Sequence, residues 1–174
     1  MNKIVKLTVI LFLVCAVVAG VLGVVYNVTA GPIEQRKTEK TAKAYAAVLP
    51  SDSYTRLENT NAEKFAGVDA VERADNGSGH VVQLTVVGAQ GEITMVVGVD
   101  NDLKCTGISI INHSETSGLG AKAADTGDFG INWRAQFVGE GADVALAKSG
   151  GKIDAITAAT ITSRAITNAV ASLG

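Results

Sequence analysis

Apolar and polar positions change their spacing several times along the chain. Residues 7–25 form an uncharged run in which Thr8 is the only polar side chain. A helix of this length spans roughly 28 Å, close to the thickness of a bilayer's hydrocarbon core. Tyr26 follows the run, where an aromatic ring favours the membrane interface. The pattern predicts an N-terminal helix that spans the membrane.

A cleaved signal peptide is the alternative interpretation of the same run. Residues 28–30, Val-Thr-Ala, resemble the small-x-small sequence at which signal peptidase cuts. The apolar run is longer than the core of a typical signal peptide, so we favour a retained anchor. The Lys and Arg residues on its two sides do not by themselves place the following domain outside the membrane.

A helical spacing resumes after Gly31-Pro32, where we predict a break, and runs as far as Pro50. Its expected inner face consists of Thr41, Ala42, Ala44, Tyr45 and Val48. The next segment, 51–79, is ambiguous and has three apolar anchors: Leu57, Phe65 and Val68. We therefore predict a basic tip and transmembrane helix at 1–30, a helical stalk or first domain helix at 31–50, and a domain at 51–174.

Three strands are predicted in the domain, at 80–87, 92–99 and 104–112, because these runs are rich in Val, Ile and Thr. The turns between them are short and polar, which favours an antiparallel meander. His80 and His113 alternate with apolar residues in this part and are expected at the surface or at an edge.

The C-terminal third has weaker periodicity. Residues 121–151 predict irregular chain with a helical turn around Trp133, and Trp133 and Phe137 are expected in the core. A last strand at 152–156 precedes a helix from Arg164 onward. The predicted fold is α+β: a single N-terminal transmembrane helix followed by a small, mainly antiparallel sheet with packed helices.

Charge and cysteine content narrow the classes of function. Residues 46–174 contain nine Lys and Arg against fifteen Asp and Glu, and this acidic balance argues against a nucleic-acid partner. Cys15 lies in the apolar run and Cys105 in the domain, so we expect no disulfide. Together with the two histidines, Cys105 offers too few ligands at suitable spacings for a metal site.

The most informative stretch, residues 154–163, joins the last predicted strand to the last helix. Backbone N–H groups and the helix dipole at such a point favour a phosphate group. Small residues, Ala158 and Ala159, leave room for a bulky group, and Ser163 is the expected N-cap. Taken alone, the stretch also fits an ordinary capped turn. It carries four hydroxyl side chains: Thr157, Thr160, Thr162 and Ser163.

A second motif, residues 115–120, follows the third predicted strand, and the two motifs together resemble a known family. Covalent-FMN domains of the Rnf and Nqr respiratory complexes carry D-x-x-[S/T]-G-A-T-x-[S/T] and, upstream of it, E-T-P-G-L-G. The first falls on 154–162 of this chain and the second on 115–120. Ala158 stands where Gly is usual, and Ser117 where Pro is usual. The first change matters if that position needs a positive φ, which Gly adopts freely.

The resemblance covers essentially the whole chain, is nearest to the short G subunit of Rnf, and implies a covalent flavoprotein. In that family a flavin transferase joins the Thr that matches Thr160 to the FMN phosphate as a phosphoester. The loop at 115–120 is then expected to contact the flavin. The wider cofactor-binding set that the resemblance implies is Asp154, Thr157, Ala158, Ala159, Ile161, Thr162, Ser163, Glu115, Thr116, Gly118, Leu119 and Gly120.

The resemblance also implies a place in a membrane complex that couples ferredoxin:NAD electron transfer to Na⁺ or H⁺ translocation. The chain would be an electron-carrying subunit without a substrate-turnover site of its own. Its partners would be the other Rnf subunits, including a second FMN-carrying membrane subunit. The location implied is the cytoplasmic (inner) membrane, with one span and an extracytoplasmic C-terminal domain. Two alternatives stay open: the C subunit of a Na⁺-pumping NADH:quinone oxidoreductase, and an anchored ectodomain without a cofactor.

Overall fold

The computed structural model describes residues 2–58 and 67–173. The chain forms two compact units, Met1–Lys40 and Thr41–Gly174. Helix α1, Lys3–Val48, continues through Pro32, so the predicted break at Gly31-Pro32 is wrong. A proline inside a helix removes one backbone hydrogen bond, and the many remaining bonds of this long helix tolerate that loss.

Within the described residues, α1 is the one helix long and apolar enough to cross a membrane. The side chains of its apolar run, including Leu11, Phe12 and Leu22, are exposed in the isolated chain. The length and composition of α1 are those expected of a single-pass anchor, and a signal sequence near the N-terminus would share them.

The second unit is built on a five-stranded antiparallel sheet in the order β1-β2-β3-β4-β5. The three predicted strands are confirmed, while β1 and β2 arise from the segment whose pattern was ambiguous. Phe65 lies outside the described residues. The strands are β1 Tyr54–Arg56, β2 Val68–Ala74, β3 Gly79–Val87, β4 Glu92–Asp100 and β5 Cys105–His113.

Both faces of the sheet are covered, because side chains alternate between its two faces. On one face, strand residues such as Met95 and Val97 share a core with Trp133 and Phe137. This core also contains residues of helices α2, Asp128–Ala135, and α3, Thr160–Ala171. The predicted α+β architecture is thus confirmed, as are the core positions of the two aromatic residues.

The other face carries the C-terminal end of α1. Tyr45 and Val48 pack with Val81 and Val96, whereas Ala42, also expected on the inner face, is exposed. The Thr106 hydroxyl donates a hydrogen bond of 2.6 Å to the Val48 carbonyl, which is one of the last carbonyls of the helix. This bond satisfies an acceptor that has no partner within the helix.

The strand predicted at 152–156 does not form. Ile153 makes one isolated parallel bridge with Leu146. The next residue, Asp154, bonds through its backbone to side chains of Trp133 and Gln136, so no ladder can continue there. Among the described residues, two short 3-10 helices, Gly120–Ala124 and Ala147–Ser149, connect the remaining elements.

Candidate functional site

Helix α3 begins at Thr160, four residues before the predicted start at Arg164. Its N-cap position is Ala159, which makes no side-chain capping bond, so the prediction that Ser163 is the N-cap is wrong. The Ser163 hydroxyl instead accepts a bond of 2.9 Å from the Ile156 N–H and donates one of 3.0 Å to the Ala159 carbonyl. It closes the turn from inside the protein.

The turn that precedes α3 contains a left-handed residue. Ala158 has a φ of 61°, at the position where the flavin-linked motif usually has Gly. In the part of the chain that the structure describes, Leu103, with a φ of 60°, is the other non-glycine residue with a positive φ. A Cβ in this region costs about 1–2 kcal/mol through its clash with the following carbonyl oxygen. The turn therefore has the backbone conformation for which Gly is favoured.

The four hydroxyl groups of the stretch have different environments. Thr162 and Ser163 are fully buried, and their hydroxyls bond within the protein. Thr157 is exposed and Thr160 is half-buried. Among the described residues, no hydrogen bond engages the hydroxyl of either Thr157 or Thr160. The hydroxyls of Thr157 and Thr160 are thus neither fully buried with their residues nor bonded within the described protein.

Asp154 is held by its backbone while its carboxylate remains exposed. The Gln136 side-chain oxygen accepts a bond of 2.8 Å from the Asp154 N–H. The Trp133 indole N–H donates one of 2.7 Å to the Asp154 carbonyl. These two side chains, from α2 and the residue that follows it, fix where the turn starts.

Glu115 faces the protein interior and is 9% exposed. Its Oε1 accepts bonds from the Ala89 and Gln90 N–H groups, at 2.8 and 3.1 Å. Its Oε2 accepts a bond of 2.5 Å from the Thr162 hydroxyl. Burial acts to raise the pKa of this carboxyl, but the hydrogen bonds outweigh burial and hold the pKa below its usual range.

The loop at 115–120 therefore has two sides. Glu115 and Gly120 lie inside, and a Cβ on Gly120 would collide with both the Glu115 carboxylate and the Thr162 hydroxyl. Residues 116–119 are exposed, including Leu119 at 40%. The structure thus brings the two sequence motifs together through the contacts among Glu115, Gly120 and Thr162.

An open cleft of about 460 Å³ borders the exposed side of this loop. Lys122 lies at the cleft with its Nζ 5.3 Å from the centre of the Phe129 ring. A volume of this size is typical of sites for small molecules. The cleft is lined by His113, Ser117, Gly118, Ala121, Lys122, Ala124, Asp125 and Thr126.

Three residues that shape the site are not among the predicted cofactor-binding residues. Gln136 and Trp133 hold Asp154, and Gly88 leaves space for the Glu115 carboxylate, which a Cβ there would strike. No local pattern identifies Gln136 or Gly88, because their partners lie far away in sequence. The one sequence feature that indicates such a contact is Trp133 itself, because the indole N–H of a buried tryptophan generally needs an acceptor.

Comparison with known proteins agrees with this geometry. Residues 88–173 match the FMN-binding domain family, and this range contains both sequence motifs and the cleft. Residues 1–48 match the RnfG N-terminal region, which coincides with α1. The chain therefore contains an FMN-binding domain that follows an N-terminal helix long and apolar enough to cross a membrane.

Relatives over nearly the whole chain define the family further. The chain is 34% identical to the G subunit of the ion-translocating oxidoreductase complex of Methanosarcina acetivorans, over 97% of this chain and 92% of the relative. It is 34% identical to the G subunit of the Na⁺-translocating ferredoxin:NAD⁺ oxidoreductase complex of Acetobacterium woodii, over 95% and 87%. The proton-translocating counterpart of Clostridium ljungdahlii is 32% identical, over 97% and 89%. The chain belongs to the family of G subunits of Rnf-type ion-translocating oxidoreductases.

Proposed function

We propose that the chain is a membrane-anchored electron carrier whose FMN is joined to Thr160 by a phosphoester bond. The observation that carries this proposal is the selective exposure of hydroxyl groups in the motif. Thr162 and Ser163 are buried and bonded, whereas Thr160 is half-buried, with a hydroxyl that is unbonded among the described residues, and stands at the first position of α3. Thr157 is also exposed, but it lies before the helix, in the turn.

The start of α3 supplies the environment that a phosphate needs. The N–H groups of Thr160, Ile161 and Thr162 lie in the first turn and have no acceptor within the helix. These groups and the helix dipole stabilise a negative charge next to the Thr160 hydroxyl. Attachment forms a bond between the Thr160 Oγ1 and the phosphorus of an activated flavin phosphate. The leaving group departs from that phosphorus, and the hydroxyl proton is lost to base.

A flat, largely apolar ring also fits the residues around the helix start. Leu119 is 40% exposed and Ile161 is 63% exposed, although both are large hydrophobic residues. The cleft beside residues 117 and 118 offers further space. When bound, FMN accepts and donates the electrons, and the role of the protein is to hold and orient it. A covalent bond retains the cofactor even where its ring is not enclosed.

At the level of the complex, we propose that the chain transfers electrons within an assembly that couples ferredoxin:NAD electron transfer to ion translocation. The names of two relatives support this function, and they name different ions, Na⁺ and protons, at similar identity. The proposed partners are the other subunits of the complex, among them a second FMN-carrying membrane subunit, and a flavin transferase for maturation. The domain after α1 is proposed to lie on the extracytoplasmic side.

Flavin fluorescence after denaturation tests the attachment residue. The full chain, co-expressed with a flavin transferase, should fluoresce in a denaturing gel. Thr160→Ala should be dark, whereas Thr160→Ser keeps a hydroxyl group and should retain fluorescence. If Thr160→Ala still fluoresces and Thr157→Ala is dark, the flavin is on the other exposed threonine and the proposal is wrong.

The carrier function has a separate test. The purified flavin-loaded subunit should be reduced and reoxidised by small redox mediators but should not oxidise NADH at a catalytic rate. A complex that contains Thr160→Ala should assemble and yet lose ferredoxin:NAD electron transfer. Rapid NADH oxidation by the isolated subunit would identify a complete enzyme instead of a carrier.

A further inference from the structure

We propose that Glu115 is a positioning residue for flavin attachment: its buried carboxylate fixes the first turn of α3 so that Thr160 faces outward. This inference rests on the proposed attachment of FMN to Thr160. It assigns Glu115 a role inside the protein, in place of the flavin contact that the sequence motif suggests. Glu115 would act through Thr162 and would not touch the cofactor.

The contacts of the carboxylate join three separate segments. Oε1 accepts hydrogen bonds from the N–H groups of Ala89 and Gln90 in the turn between β3 and β4. Oε2 accepts a hydrogen bond from the hydroxyl of Thr162 in α3, which is 47 residues away in sequence. Charge-assisted bonds of this kind are stronger than bonds between neutral groups. One side chain therefore ties the loop, the hairpin turn and the helix start together.

The surroundings leave room for this carboxylate and for no larger group. A Cβ on Gly88 would collide with Oε1, and a Cβ on Gly120 would collide with Oε2 and with the Thr162 hydroxyl. Glycine therefore stands on both sides of the carboxylate where any other residue would displace it. The arrangement is that of a tight internal site built around one side chain.

Because of helix geometry, the bond between Glu115 and Thr162 also fixes the direction of the Thr160 side chain. Successive residues of an α-helix are rotated by about 100°, so Thr160 and Thr162 point in directions about 200° apart. The bond to Glu115 holds Thr162 inward, where it is fully buried. Thr160 is consequently directed toward the surface. Without the bond, the first turn can rotate or fray, and the Thr160 hydroxyl loses its fixed direction.

Electrostatics also argues against a direct contact between Glu115 and the flavin phosphate. Both carboxylate oxygens already accept hydrogen bonds. The group is an anion, and it would repel the anionic phosphoester at short range. Its charge is better matched to the N–H groups and hydroxyl that it already binds.

The test measures the rate of flavin attachment to the full apo-chain, purified from cells that lack a flavin transferase. A purified transferase and FAD are added, so that the phosphorus bonded to AMP in FAD is transferred to the Thr160 oxygen and AMP leaves. The variants are Glu115→Ala, Glu115→Gln and Thr162→Val. Thr167→Val is the matched control, since Thr167 is also fully buried in α3 but bonds to the Ser163 carbonyl. Thermal unfolding of each variant is measured in parallel.

We expect Glu115→Ala and Thr162→Val to lower the kcat of attachment at least about tenfold, with the KM for the protein acceptor unchanged. Glu115→Gln should keep most of the rate, because the amide oxygen can accept both N–H groups and the amide nitrogen can donate to Thr162. The double variant Glu115→Ala/Thr162→Val should be no slower than Glu115→Ala alone, since Thr162→Val removes a contact that Glu115→Ala has already removed. Thr167→Val should stay within about twofold of the unchanged chain.

The inference is overturned if Glu115→Ala and Thr162→Val lower the rate no more than Thr167→Val does at comparable loss of stability. It is also overturned if the effects of Glu115→Ala and Thr162→Val simply add. If Glu115→Ala does not fold, Thr162→Val decides the question: a rate lowered no more than in Thr167→Val, at comparable loss of stability, overturns the inference. Thr160→Ala in the same assay tests the proposed function separately: flavin attached to that variant would show that the attachment residue is another one.

Discussion

Ala158→Gly should stabilise the domain, although it removes a methyl group and adds a glycine. Ala158 has a φ of 61°, and its side chain is exposed, so the change loses little buried surface. Relief of the left-handed conformation contributes about 1–2 kcal/mol. The greater freedom of glycine in the unfolded chain offsets about 0.4–1 kcal/mol of this. The free energy of unfolding should therefore rise by about 0.5–1 kcal/mol.

Ala159→Gly is the matched control, because the neighbouring alanine has the opposite properties. Its φ is −132°, which any residue adopts, and it is 5% exposed. The change loses a buried methyl group, which costs about 0.8 kcal/mol. The greater freedom of glycine in the unfolded chain costs about 0.4–1 kcal/mol more. We expect Ala159→Gly to destabilise the domain by about 1–2 kcal/mol.

Trp133 provides the assay for both variants. It is the only tryptophan of the chain, it is buried, and it bonds to Asp154 at the start of the turn. Its fluorescence therefore reports unfolding of the domain. The unfolding temperature should rise by about 3 °C for Ala158→Gly and fall for Ala159→Gly. A fall for both variants would refute the assignment of backbone strain to Ala158.

Three further predictions concern titration, reactivity and topology. The lowered pKa of Glu115 means that its ionised form stabilises the fold above about pH 4.3, and this contribution is lost as the pH falls through the folded-state pKa. The unfolding temperature of Glu115→Gln should therefore fall less between about pH 5 and about pH 3 than that of the unchanged chain. Burial raises the pKa of Cys105 to about 11, so this thiol should resist alkylation in the folded protein at about pH 8 and react after denaturation; fast labelling of the folded chain would contradict its burial. A cysteine introduced at the exposed Lys148 should react with an impermeant thiol reagent from the extracytoplasmic side, and one at Asn2 should not; the reverse result would invert the proposed topology.

The strands of the meander are predictable from sequence because their signal is local. β3, β4 and β5 have nine residues each, are rich in Val, Ile and Thr and are joined by short turns, so each can be recognised within its own stretch of chain. Strand β1 has three residues and β2 contains Asp69, Glu72 and Arg73, so neither shows an apolar run. Their place in the sheet comes from pairing with β3, which is a long-range property.

The candidate site likewise has features that the sequence predicts and features that it does not. The predicted start of α3 is four residues too late because Thr160, Ile161 and Thr162 are β-branched, and such residues have a weak helix propensity. Tertiary bonds override this propensity: Thr162 bonds to Glu115, and Ser163 bonds to Ile156. The sequence also does not predict that the Glu115 side chain points inward, since its hydrogen-bond partners lie 25 to 47 residues away.

The proposed attachment of FMN to Thr160 gives a physical reason for the spacing of hydroxyl groups in the motif. Asp154 is fixed by side chains of Trp133 and Gln136, and the chain then turns through Ala158 into the helix that begins at Thr160. Thr162 must follow two residues later, because a rotation of about 200° is what separates an outward hydroxyl from an inward one. One inserted residue between them would rotate Thr160 by about 100° relative to the buried face. We therefore expect such an insertion to abolish flavin attachment even if every motif residue is kept, while Thr160→Ser, which preserves the spacing, should permit it. Attachment to a chain with the insertion, measured by in-gel fluorescence, would show that the transferase recognises the residues of the motif and not their arrangement on the helix.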